Sequence, residues 1–157
     1  MNKYQDPAIL LLRVATAANF LSPVASRLGL WGHGNWQKFL VYAGQVNSFA
    51  PAWAVPYLAV AATTLEIILP LLLLIGYRTR WAALGAALLT LCFALAMTWS
   101  FGLKEVLDYA VPVDCTSAFL LATMPRYRWS LDELLARATA TRILQPCLNT
   151  TPPSTGN

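Results

Sequence analysis

Three ionisable residues stand in stretches that are otherwise apolar: Arg13, Glu66 and Asp114. Glu66 is the sole charged residue between Phe39 and Tyr77. A carboxylate at bilayer depth is costly, so such groups face a bundle interior, find a partner and mark substrate, ion or proton paths. Helical rise converts their positions into depths. Glu66 precedes Gly76 by ten residues and Asp114 precedes Met124 by ten, which sets both acids about 15 Å from one end of their helices. Arg13 lies about 8 Å into a helix that opens at Ala8, and its long side chain extends its reach. This spacing predicts one pocket in which Arg13, Glu66 and Asp114 hold a ligand and the two acids relay protons. The same residues also suit a structural pairing of Arg13 with Glu66, with Asp114 protonated or bonded to Thr116. Two prolines favour the pocket: Pro70 deprives the carbonyl of Glu66 of its helical partner, and Pro112 does the same to that of Asp108. Both helices should bend near their acids, and freed carbonyls are tolerated only in a buried or wet cavity.

The elements that position these groups are membrane helices. The 157 residues are 57% hydrophobic and 11% charged, with mean hydropathy +0.52, far from the composition of a soluble domain. Four segments approach the roughly 20 apolar residues a bilayer requires: Pro7 to Ser26, Ala52 to Gly76, Trp81 to Gly102 and Glu105 to Met124. Ala15-Thr16-Ala17 resembles a signal cleavage site, but Arg13 cuts the preceding apolar core to Ala8–Leu12, so the segment reads as a retained first helix. Basic residues set the topology. With the N-terminus cytoplasmic, Lys3, Arg78, Arg80, Arg126, Arg128, Arg137 and Arg142 fall inside, and Arg27, Lys38 and Lys104 fall outside. The predicted architecture is therefore all-α: a polytopic four-transmembrane-helix bundle, multi-pass, with both termini cytoplasmic. The basic pI near 9.2 reports topology, and nucleic-acid binding has no support.

Between the first two spans, Trp36 and Phe39–Val41 around Lys38 predict an amphipathic helix on the outer membrane face, preceded by Gly32-His33-Gly34 as a flexible lead-in. After the fourth span, Ser130-Leu131-Asp132-Glu133 reads as a capping box, with Ser130 as N-cap and Glu133 at N3. It opens a cytoplasmic surface helix that stops at Pro146. The domain division is thus 1–129 for the transmembrane bundle, 130–146 for the cytoplasmic amphipathic helix and 147–157 for a disordered tail.

Cofactor motifs are sparse. Cys92, Cys115 and Cys147 form no C-x-x-C pair, which leaves a disulfide oxidoreductase site unsignalled, and core packing is the expected role of Cys92 and Cys115. The single histidine, His33, has no second histidine to share a metal with and reads as a loop residue. No metal site, haem attachment, iron–sulfur spacing or nucleotide loop occurs.

Several of these residues carry a resemblance. Leu11-Leu12-Arg13, the stretch from Glu66 through Pro70 to Gly76 with Arg78 and Arg80 after it, and the ending Tyr127-Arg128-Trp129-Ser130-Leu131-Asp132 resemble, in order and spacing, the DoxX family of small four-helix bacterial membrane proteins. The similarity spans about residues 8 to 135. Where that family carries a Gly-x-x-Lys element after its first helix, this chain has Ser22-Pro23-Val24-Ala25-Ser26-Arg27. The resemblance implies a membrane component associated with oxidoreductase chemistry, since some relatives serve quinol- or thiosulfate-linked respiratory systems.

Together the pocket and the resemblance lead to the expectation of a membrane subunit of a quinone-linked redox system. In it Arg13, Glu66 and Asp114 hold a quinone-like molecule, and the expected partners are the lipid bilayer with a redox protein or a second copy of the chain. No cofactor is written in the sequence itself, so electrons must come through a partner or the quinone. Two alternatives stand beside this one: a proton-coupled path for a small solute, and an assembly subunit whose buried charges only fix packing.

Overall fold

The computed structural model describes residues 4–30, 34–125 and 127–138. His33, Cys147, the stop at Pro146 and the tail 147–157 lie outside the described residues. The described chain forms helices α1 (Gln5–Arg27), α2 (Trp36–Val46), α3 (Val55–Ile75), α4 (Thr79–Phe101), α5 (Leu103–Asp108) and α6 (Val111–Thr123), followed by helical residues 131–138, here α7. Helices α1, α3, α4 and α6 close a four-helix ring, α1 packing on α3, α3 on α4, α4 on α6 and α6 back on α1. Helices α1, α3 and α4, with 23, 21 and 23 residues, are each long and apolar enough to cross a membrane.

The core runs along the bundle in three layers. At one end Ile9, Leu73, Ala82, Ala83, Leu121 and Ala122 pack together. Phe20, Ala86, Ala87 and Ala118 form the middle, and Val46, Met97 and Val106 form the far end. The alanines recur on one face of α4, where small side chains let the α6 backbone approach closely, the usual means of holding helices together when lipid removes any hydrophobic gain from burial. Large apolar side chains point outward instead, Leu88 at 62% exposure and Leu95 at 64%, as a lipid-facing surface requires.

The fourth span departs from its expected form. Pro112 was expected to bend a continuous helix, but the helix breaks outright at Tyr109–Ala110, with Ala110 in the left-handed region at φ 53°. Pro112 then sits in the first turn of α6, where its missing N–H costs nothing. Helix α6 has only 13 residues, about 20 Å of rise, and ends in extended backbone at Met124, the conformation that Pro125 imposes on its predecessor.

Helix α2 forms where the amphipathic segment was expected, with the Asn35 Oδ1 accepting from the amide of Gln37 at 2.6 Å. It does more than lie on a surface. It packs across the ends of α3 and α4 and buries Ala43 and Val46 there.

The ring has two ends, one carrying Gly76 and Arg80, the other Arg27 and Lys104. With the native cysteines replaced by alanine, Arg80→Cys and Lys104→Cys should react with a membrane-impermeant maleimide from opposite faces of the membrane. Labelling of both from one face would refute the bundle's passage through the membrane.

Candidate functional site

Helix direction decides where the arginines of α1 go. Side chains on a helix lean toward its N-terminus. Arg13 therefore leans toward the Gly76 end, away from Glu66, and Arg27, fourteen residues and about 21 Å further on, leans back into the bundle.

Arg13 is 1% exposed. Its Nε and Nη2 donate to the carbonyl of Leu73 at 3.1 and 2.9 Å, its Nη2 reaches the carbonyl of Leu74 at 3.4 Å, and its Nη1 reaches that of Trp129 at 3.5 Å. The need for it is local. Helix α3 closes with Gly76 at φ 75°, and the amides of both Gly76 and Tyr77 bond to the carbonyl of Leu72. That leaves the next carbonyls of the final turn without backbone partners, at the negative end of the helix dipole. The guanidinium supplies both donors and charge. The expected contact between Arg13 and Glu66 is not made, and Arg13 is absent from the cavity described below: a cation this deep is drawn first to orphaned carbonyls within its natural lean.

The ending Tyr127–Asp132 is fastened to the same place. The carboxylate of Asp132 accepts from the amides of Arg78 (2.7 Å) and Thr79 (2.9 Å) and from the Thr79 hydroxyl (3.1 Å), capping α4 from a distant point in the chain. The Asp132 amide donates to the carbonyl of Gly76 at 3.0 Å, and the Tyr127 hydroxyl donates to that of Leu121 at 2.8 Å. Ser130 caps α7 by accepting from the Glu133 amide at 3.2 Å. Glu133 pairs with Arg137 at 2.7 Å, so only the serine half of the expected capping box is seen. A Cβ on Gly76 would collide with the Arg13 Nη2 and lie 2.6 and 2.8 Å from Cβ and Cα of Ser130.

Glu66, 4% exposed, pairs with Arg27. Arg27 Nη1 donates to its Oε2 and Nη2 to its Oε1 at 3.3 Å, while Nη1 also donates to the Thr63 hydroxyl at 3.2 Å. The guanidinium lies over the Phe39 ring of α2, 3.8 Å from its centroid, a cation–π contact that holds α2 against the pair. Asp114 sits in the first turn of α6, where the helix dipole favours a negative charge, and accepts from Asn19 Nδ2 at 2.8 Å. Asp108 is exposed and paired with Lys104.

Arg27, Glu66 and Asp114 line one cavity of about 500 Å³. The rest of its wall is mostly apolar or aromatic: Phe20 from α1, Phe39 and Tyr42 from α2, Leu65 from α3, Phe93 and Met97 from α4. Burial, with Tyr109 and Glu105 nearby, raises the phenol of Tyr42 above its ordinary range against a smaller opposing pull from Arg27, so it remains a neutral donor. The sequence thus placed both acids on one cavity and missed the cation that pairs with Glu66. By the basic bias Arg27 reads only as an outer charge, whereas it is the last residue of α1. The missed signal was that Pro23 sits inside a helix that runs on to Arg27, whose side chain then turns inward.

A family model named DoxX matches residues 8–99, from the first turns of α1 to near the end of α4. The chain belongs to the DoxX family. The match covers more than half of the 157 residues, including Arg13, Arg27, Glu66 and Gly76. Asp114 and the Tyr127–Asp132 ending lie beyond it. No curated protein and no solved structure matches the chain. In this DoxX protein the Ser22–Arg27 segment is the one that delivers the cation to Glu66.

Two substitutions separate the clasp from the cavity. Gly76→Ala forces a left-handed alanine against Arg13 and Ser130, and unfolding in detergent should show a loss of about 1–3 kcal/mol. Glu66→Gln leaves Arg27 without its counter-charge and should cost about 2–3 kcal/mol, the low end for a broken buried pair because Arg27 retains some access to the surface. The double variant Arg27→Met/Glu66→Leu should recover most of that loss. A double variant as unstable as the single would refute the coupling.

Proposed function

We propose that this protein is a membrane subunit of a quinone-linked redox system in a bacterial inner membrane, with its N-terminus on the cytoplasmic side. The observation that carries the reading is the cavity itself: a largely apolar, aromatic-lined space of about 500 Å³ at membrane depth, with a buried Arg27–Glu66 pair and Asp114 on its wall. The residues present fit a quinone ring. Phe20, Phe39 and Phe93 offer flat apolar surfaces, and Arg27 and Tyr42 carry donors suited to a ring carbonyl. When bound, a quinone supplies the capacity to take up electrons and protons together. Glu66 and Asp114 are the groups that accept and pass protons at this depth, and the electrons come from a redox partner protein. The orientation rests on the excess of basic residues at the Gly76 end.

Arg13 has no part in this site; its role is the clasp at the Gly76 end.

Mass spectrometry of the lipids and cofactors that survive gentle purification tests the proposal directly. A retained quinone, lost from Glu66→Gln/Asp114→Asn but kept by Arg128→Gln at the far end, is the expected result. Absence of quinone from the native protein, with the double acid variant fully active in cells, would overturn it. Proton-dependent solute uptake by liposomes containing the protein and no redox partner would replace it with the transport alternative.

A further inference from the structure

Among the described residues the cavity wall reaches the surface at several places, two of them between the long helices and others at Tyr42 and Tyr109. Between α1 and α6 the hydrogen bond from Asn19 to Asp114 bridges the gap with polar groups. Between α3 and α4 the wall is apolar and open: Leu58 and Leu65 line the cavity yet are each 43% exposed, and Ala61 and Cys92 beside them are exposed as well. The two helices meet tightly nearer the Gly76 end, where a Cβ on Gly85 would lie 2.9 Å from the Leu69 Cδ2. Toward the other end α2 packs against both of them. Outside the opening runs a groove of about 450 Å³ formed by Phe49, Cys92, Leu95, Ala96 and Trp99, and Phe49, Cys92 and Ala96 belong to both spaces. A polar pair deep in an apolar chamber, an apolar side window and a lipid-facing groove leading from it form one continuous path.

We infer that the space between α3 and α4 is a lateral portal through which a single-chain amphiphile enters from the bilayer, its polar head against Arg27 and Glu66 and its chain lying in the Phe49–Trp99 groove. This deepens the proposed function and rests on its cavity, fixing the substrate class as bilayer-resident and long-tailed. A water-soluble ligand would need no apolar window, and a chain running the other way would have to displace the Asn19–Asp114 bond.

Photolabelling of the full-length protein in phosphatidylethanolamine–phosphatidylglycerol liposomes tests the portal. The first probe is a benzoquinone with an alkyl chain ending in a diazirine; the second carries the same chain with a hydroxyl in place of the quinone. Peptide mapping should find chain-end label concentrated on Phe49 and on the Cys92–Trp99 stretch. Ala61→Trp and, on the facing helix, Cys92→Trp should each reduce that label about tenfold, as loss of one well-fitted chain segment would. Leu120→Trp, on the exposed side of α6 and lining neither space, should leave it unchanged. Label from the quinone probe alone supports both the portal and the quinone. Equal labelling by the hydroxyl probe, blocked by Ala61→Trp, keeps the portal and removes the quinone. Label spread evenly over exposed leucines, indifferent to Ala61→Trp, overturns the portal whichever head is used.

Discussion

The grip of Arg13 on the carbonyls of Leu73 and Leu74 sets the register on which the rest of the bundle depends. Bilayer hydrocarbon offers no water to an orphaned carbonyl, so the final turn of α3 must be satisfied by protein. A guanidinium with donors in a planar fork does so, and in doing so fixes α1 against α3 along their length. Everything further up α1 inherits that alignment. Arg27 arrives above Glu66 because Arg13 is held beside Leu73, and Phe39 can cover Arg27 because the end of α1 is placed where α2 folds back.

The two charged regions divide the work of the molecule. At the Gly76 end donors and acceptors are matched closely: Arg13 with helix carbonyls, Asp132 with helix amides, Gly76 fitted between Arg13 and Ser130 without room for a methyl group. Such a site is saturated and offers little to a ligand. At the Arg27 end the pair borders an open chamber, and polar groups there meet empty apolar space. Both regions hold helices together, but only the second leaves its polar groups facing open space. Residues that look alike in a sequence, two arginines on one helix, thereby meet very different surroundings.

How much of this could be read from sequence follows from what kind of information each feature needs. The apolar runs marked the helices because span length is a one-dimensional property. Glu66 and Asp114 were legible for the same reason, since equal distance from helix ends becomes equal depth. The choice of partner was not legible. It turns on the lean of a side chain along its helix, which sends Arg13 and Arg27 in the same direction relative to α1 but to opposite consequences relative to Glu66. Pro112 was visible as a disturbance, but whether it bends a helix or starts a new one depends on Ala110 adopting φ 53°, which no residue type there announces. The amphipathic character of α2 was plain in Trp36 and Phe39. Its role as a cover was not, because amphipathicity names an apolar face and leaves open what that face meets.

The cap on α4 has a consequence for biogenesis. The amides of Arg78 and Thr79 find their acceptor in Asp132, more than fifty positions later. While the ribosome is still extending the chain, α4 can enter the membrane as an apolar segment, but its first turn has no carboxylate to close it. The order of synthesis therefore leaves the hairpin between α3 and α4 among the last parts secured, and its final lock arrives only after α6 has been made and its trailing segment reaches that end.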